Sequence, residues 1–233
     1  MNIVITGATE GIGKAIAYAF ASKDNALALC ARTFSKLEVL KADILTSTNC
    51  TDVFIQSVDV TNHVEINKFA KNCLEHWTSI DVLINNAGVF IPGKIHEEDD
   101  GVLEMTMNTN VYSAYRMSRS FIPQMISQGS GHIINISSVA GLKAYPNGGS
   151  YSISKFAMLG LGKGLREELK EYGIRVTNIM PGATWSNSWA GVDLPKDRLM
   201  EASDIAKIVL LATELENKSV LEDVVVRPLL GDL

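Results

Sequence analysis

M-N-I-V-I-T-G-A-T-E-G-I-G-K-A-I-A-Y-A-F, residues Met1 to Phe20, decides the fold. Met1 to Thr6 is a short apolar, β-branched run of the kind that forms a buried strand. Lys14 to Phe20 is a good helix pattern. Between them lies the turn Gly7-Ala8-Thr9-Glu10-Gly11-Ile12-Gly13. Strand, glycine turn and helix in succession aim free backbone N–H groups and the positive helix end at a pyrophosphate. Gly7 permits the tight turn, Gly11 lets the backbone approach the phosphates, and Gly13 allows helix and strand to pack closely. The spacing is G-x-x-x-G-x-G, not G-x-G-x-x-G.

The rest of the chain continues the alternation. Strands are expected at Asn2–Thr6, Ala26–Ala31, Val53–Val58, Val82–Asn85, His132–Ser137, Arg175–Met180 and Asp223–Val226. Helical patterns fall near Gly11–Ser22, Ser35–Thr46, Asn62–Trp77, Gly101–Gln128, Ser150–Tyr172 and Ser203–Leu215. Pro123 is expected to kink or divide the fourth of these. Such repetition means an α/β protein: one Rossmann-type, doubly wound parallel sheet of about seven strands, helices on both faces, ligands at the carboxyl ends of the strands.

Composition agrees. The 233 residues, 46% hydrophobic and 20% charged, can bury a large core as a single domain over residues 1–233. No linker, repeat or low-complexity stretch interrupts them. The net charge of -5 and the lack of a Lys/Arg run argue against nucleic acid as a partner. No apolar run approaches a membrane span, and the N-terminus reads as a core strand rather than a signal sequence. Cys30, Cys50 and Cys73 read as reduced thiols of a cytoplasmic protein. His63, His76, His96 and His132 lie apart from any ligand partner, so no metal site is expected. Glu97-Glu98-Asp99-Asp100 reads as a helix start.

The chemistry centres on Ser138 and on Tyr151-Ser152-Ile153-Ser154-Lys155. Four residues apart, Tyr151 and Lys155 share a helix face one turn from each other. An ammonium beside a phenol favours the phenolate. Moving a Tyr from ~10 to ~7 takes roughly 4 kcal/mol, and one charge ~4 Å away at a surface-like dielectric supplies about that much. The pair is then poised to give and take a proton at neutral pH. The bare Y-x-x-x-K pattern is more often a solvated helix face; the dinucleotide turn upstream changes its weight.

Along its whole length the chain resembles the short-chain dehydrogenase/reductase family. The family's glycine turn is T-G-A-T-E-G-I-G at Thr6–Gly13, and its Asp after the third strand is Asp59, followed by Val60. Its N-N-A-G signature is Asn85-Asn86-Ala87-Gly88, and its active-site Asn matches Asn110 in M-N-T-N. Its active-site Ser matches Ser138, chosen over the adjacent Ser137 for its separation from Tyr151, and its P-G pair is Pro181-Gly182. The resemblance implies a nicotinamide cofactor that exchanges hydride with a carbonyl, held by these motifs. Tyr151 would be the general acid in reduction and the base in oxidation. Lys155 would lower the Tyr pKa and bond the nicotinamide ribose. Ser138 would donate to the substrate oxygen. Asn110 would anchor a water linking Lys155 to solvent. The hydroxyl that holds the carboxamide would be Ser186, with Thr184 as a second candidate. Family members usually form homodimers or homotetramers.

The second strand ends in Leu29-Cys30-Ala31-Arg32-Thr33. Ala31 stands where NAD-users of the family carry Asp, so no carboxylate is offered there to a ribose 2′-OH. Arg32 suits a 2′-phosphate, and Thr33 adds a hydroxyl. Arg32 as an ordinary solvated residue is the competing reading. Glu10 stands where many NADP-users are basic, and should weaken the phosphate site or swing away. NADP(H) is favoured over NAD(H).

After Pro181-Gly182, about residues 183–200, the family places its substrate lid. Trp185 and Trp189 fall there, either to stack on a flat substrate or to pack within the lid. M-N-T-N, the segment P-G-A-T-W-S-N-S-W and a tail ending Leu230-Gly231-Asp232 resemble the bacterial sepiapterin-reductase-like branch. That branch implies a pterin with a side-chain ketone, for which an aromatic lid and a terminal carboxylate make physical sense. The alternatives are a general carbonyl or diketone reductase, a secondary-alcohol dehydrogenase, or a 3-oxoacyl reductase, whose glycine-rich ending this tail lacks. A non-catalytic cofactor-binding scaffold or redox sensor would not need Asn110, Ser138, Tyr151 and Lys155 together.

Overall fold

The computed structural model describes residues 1–186, 195 and 198–232. Seven strands form one parallel sheet in the order β3-β2-β1-β4-β5-β6-β7. They are β1 (Asn2–Thr6), β2 (Ala26–Ala31), β3 (Val53–Ser57), β4 (Val82–Asn85), β5 (Gly131–Ile136), β6 (Ile174–Pro181) and β7 (Asp223–Val226). The helices are α1 (Gly11–Ala21), α2 (Phe34–Ser47), α3 (His63–His76), α4 (Val102–Met107), α5 (Ser113–Gln128), α6 (Gly149–Leu169) and α7 (Ala202–Glu214). The order reverses between β1 and β4, which opens a crevice at their carboxyl ends.

Period-two alternation sends strand side chains into two cores. Ile3, Ile5, Leu27 and Leu29 pack with Phe20, Ile205 and Val209 on the face of α1, α2 and α7. Val4, Ala28, Ile133 and Val176 pack with Phe69, Phe121 and Met125 on the face of α3, α5 and α6.

A polar row crosses the second face. Asn85, Asn135, Asn178 and Asp223 stand in register on β4 to β7. Asn85 donates to Asn135 (3.0 Å), Asn135 to Asn178 (3.2 Å) and Asn178 to Asp223 (2.9 Å). A Cβ at Gly162 would lie 1.8 Å from Asn178 Oδ1, so α6 is cut away to admit the row. Pairing meets the row's amide donors, leaves Asn85 Oδ1 without a partner, and fixes the register of the strand ends that carry the site.

The fourth helical pattern departs from expectation. It divides at a π turn over Asn108–Tyr112, not at Pro123, which α5 passes without a break. Fully buried Phe121 and Met125 hold that part of α5 against the sheet, so packing outweighs the lost ladder bond. At the π turn the Thr109 and Ser113 hydroxyls bond carbonyls four residues back, at 2.9 and 2.5 Å. Glu98 is a second departure. Rather than starting its own helix, its carboxylate caps α6, accepting from Ser150 N (2.9 Å) and the Ser150 hydroxyl.

Candidate active site

Two chambers meet at the crevice. The first, about 480 Å³, runs from Arg32 past the glycine turn to Lys155. The second, about 370 Å³, lies between Ser138, Tyr145 and the tail residues Arg227 and Asp232. Tyr151, Phe90, Ile12, Ser137 and Ser186 line both.

The first chamber is built from β1 outward. Gly7 has φ +65, and a Cβ there would lie 2.9 Å from Ala87 Cα; one at Gly13 would lie 2.3 Å from Gly7 O. No side chain larger than glycine fits either position. Thr6 Oγ1 accepts from the N–H groups of Asn86 and Ala87 (both 3.0 Å), and Asn86 Nδ2 donates to the carbonyls of Thr6 and Gly7 (both 3.0 Å). The turn is thus tied to the N-N-A-G segment. The N-cap residue Glu10 makes no side-chain cap to α1, and the helix start at Gly11 and Ile12 lines the chamber, where its leading N–H groups suit an anion.

The structure brings most of the expected cofactor residues together. Gly7, Thr9, Gly11, Ile12, Arg32, Thr33, Asp59, Val60, Asn86, Ala87, Gly88, Tyr151, Lys155 and Ser186 line the first chamber. Pro181, Gly182 and Thr184 line the second. Thr184 donates to the Gly182 carbonyl (3.0 Å), whereas Ser186 reaches both chambers. Asp59 accepts from Thr61 N and Oγ1 (2.9 and 2.8 Å); these bonds, with Arg32 nearby, hold its carboxyl below the ordinary range. Trp185 lines neither chamber: its backbone N–H is tied to Met200 O (2.8 Å) and its side chain is exposed. Trp189 lies outside the described residues.

Lys155 opens only into the first chamber and Ser138 only into the second, with Tyr151 between them. Ser138 stands beside the Tyr151 phenol and acts to lower its pKa, and Ser138 Oγ accepts from Ala140 N (3.1 Å). Ser137 Oγ instead faces the Lys155 carbonyl (3.4 Å). Phe90, unremarkable in the sequence, sets its ring edge-on to Tyr151 at 4.8 Å. Asn110 stands behind: its Oδ1 accepts from Val89 N (2.7 Å), and its Nδ2 donates to Val89 O (3.0 Å) and Ser154 Oγ (2.9 Å). Both amide hydrogens are committed, so any water held by Asn110 must use its oxygens.

The electrostatics correct one expectation. Burial raises the Tyr151 phenol above 10.0, opposed by Ser138. Burial also draws Lys155 from 10.5 down to about 8. Lys155 Nζ donates to the Ile136 carbonyl (3.1 Å) and lies 5.6 Å from the Tyr151 ring centre. Desolvation therefore dominates both groups, and the phenol is moved up rather than down. Lys36, Lys143, Tyr145 and Arg227 were not legible as site residues, because only the fold brings their scattered segments to the crevice.

Fold and site together define a nucleotide-dependent oxidoreductase on a doubly wound sheet. The sequence model of the short chain dehydrogenases matches residues 1–195, and the chain belongs to that family. It is 32% identical over 239 residues to the sepiapterin reductase of Chlorobaculum tepidum, covering 99% of this chain and 97% of that protein. An alcohol dehydrogenase from the archaeon Thermococcus sibiricus, complexed with 5-hydroxy-NADP, superposes with a TM-score of 0.92 at 26% identity, covering 98% and 96% of the two chains. A metagenomic short-chain oxidoreductase in complex with NADP gives 0.86 at 32% identity, with the same coverage.

Proposed function

We propose that the chain is an NADPH-dependent carbonyl reductase, interconverting a ketone and a secondary alcohol. The observation that carries this is the division of labour around Tyr151: the lysine opens to one chamber, the serine to the other, the phenol to both. Bound in the first chamber, the cofactor supplies the hydride. Tyr151 donates the proton to the substrate oxygen in reduction and removes it in oxidation. Ser138 donates a hydrogen bond to that oxygen as negative charge grows. Lys155 holds the ribose, and Asn110 braces the wall behind it.

Arg32 is the reader of the 2′-phosphate. Its guanidinium opens to the chamber, with the Asp59 carboxylate as a charged neighbour. Arg32→Ala should weaken NADPH by about one to two decades, the cost of a lost charged hydrogen bond, and leave NADH nearly unchanged. Titration of both cofactors by fluorescence checks this; equal losses would remove the role.

For the substrate, a pterin with a side-chain ketone is the favoured class. The likeness to a sepiapterin reductase and the carboxylate of Asp232 on the second chamber support it: Arg227 pairs with Asp232 Oδ2, and Oδ1 can accept an N–H from a pterin's amino-pyrimidine edge. Asp232→Ala should raise KM for sepiapterin by about tenfold, a lost charged hydrogen bond, and leave a small aliphatic diketone unaffected. A panel of carbonyl substrates followed by NADPH absorbance decides the class. Reduction of diketones without any pterin would make the chain a general carbonyl reductase.

A further inference from the structure

We propose that Lys36 is a second cation for the 2′-phosphate, and that its ion pair with Glu10 is what lets an acidic glycine-turn residue coexist with that phosphate. The inference rests on the NADPH reading above. Glu10 is the residue that spoke against NADP in the sequence. In the fold its carboxylate is paired with the Lys36 ammonium, which reaches it from the first turn of α2. Both side chains line the same chamber as Arg32 and Thr33.

The charges at this end decide the matter. Among the described residues, Arg32 and Lys36 face Glu10 and Asp59, two cations against two anions. Asp59 is held locally by Thr61 with Arg32 nearby, and the pairing of Glu10 with Lys36 contributes to the field a phosphate meets. Without Lys36, a cation paired with Glu10 at the head of α1 is lost and the repulsion of the phosphate grows. With it, the repulsion is reduced. The Lys36 side chain is 56% exposed, so its stem can turn the ammonium toward a phosphate without leaving a buried space. A phosphate carrying close to two charges and three acceptor oxygens is a stronger partner for an ammonium than one carboxylate.

A double-mutant cycle on cofactor affinity tests this, with 2′,5′-ADP and 5′-AMP as probes that lack the nicotinamide. Lys36→Met should weaken NADPH and 2′,5′-ADP by about tenfold, because the cation is lost and the repulsion from Glu10 grows. Glu10→Gln should tighten both by about threefold, because a repelling charge is removed while Lys36 is released. In the Glu10→Gln background, Lys36→Met should cost only about threefold, since contacting charges are not additive. NADH and 5′-AMP should be indifferent to all three variants. Equal losses of NADPH and NADH in Lys36→Met, or additive effects in the cycle, would overturn the assignment. If the unaltered protein binds NADH as tightly as NADPH, it is the NADPH reading that falls. If it prefers NADPH and Lys36→Met keeps that preference, the role of Lys36 alone falls.

Discussion

Replacing Tyr151 with phenylalanine should lower ketone turnover by about 10²–10⁴-fold, the contribution a positioned general acid makes. The change removes one hydroxyl and keeps the ring. Phe90 can still pack edge-on to it, and the chamber that Lys155 and the glycine turn define is unaltered. NADPH affinity should therefore stay within about twofold, as expected when only an interaction made in the transition state is lost. The direction of the reaction sharpens the test. Burial holds the phenol above 10.0, so the acid needed for reduction is present throughout the neutral range. Oxidation needs the phenolate, and its rate should climb as pH rises above neutral. Stopped-flow single turnovers with NADPH and a ketone, and steady-state oxidation from pH 7 to 10, measure both. A variant that keeps most of its single-turnover rate would mean that the proton comes from elsewhere.

What was legible in the sequence follows from how local each signal is. The strand–turn–helix opening needs only neighbouring residues, and Gly7 and Gly13 stand in the fold where a Cβ cannot fit. All seven strands fall within a residue or so of their expected places, because buried parallel strands are continuous apolar runs. The break at Asn108–Tyr112 carries no such mark: a π turn costs no glycine or proline, and Pro123 drew attention to the wrong place. Glu98 was misplaced for the opposite reason, since acidic residues before a helix usually serve that helix, and its partner Ser150 is 52 residues away. Burial was the largest gap. Helical spacing put Tyr151 and Lys155 together, but could not say that both would be desolvated, and that term reversed the direction in which the phenol moves.

Lys155→Met should separate the cost of that burial from its use. Turnover and NADPH affinity should both fall, because the ammonium is assigned to the ribose as well as to the site that holds Tyr151. Stability should move the other way. Lys155 titrates at about 8 in the folded chain and at 10.5 when unperturbed. Between those values the unfolded chain holds the extra proton, so stability rises with pH across the window, and below about 8 the full penalty is felt. The difference corresponds to about 3 kcal/mol. Met is unbranched and fills the same channel, but it leaves the Ile136 carbonyl without this donor, which returns roughly 1–2 kcal/mol. The cofactor-free variant should thus be more stable than the parent by about 1–2 kcal/mol at pH 7. The gain should shrink steadily and vanish before pH 10, above which Tyr151, holding its proton longer when folded, begins to lower stability in both proteins. Urea unfolding of both proteins at pH 7 and pH 9.5 reads the difference directly. A parent whose stability relative to the variant is the same at the two pH values would show that Lys155 does not carry a strained charge. An unchanged NADPH affinity in the variant would remove its role at the ribose.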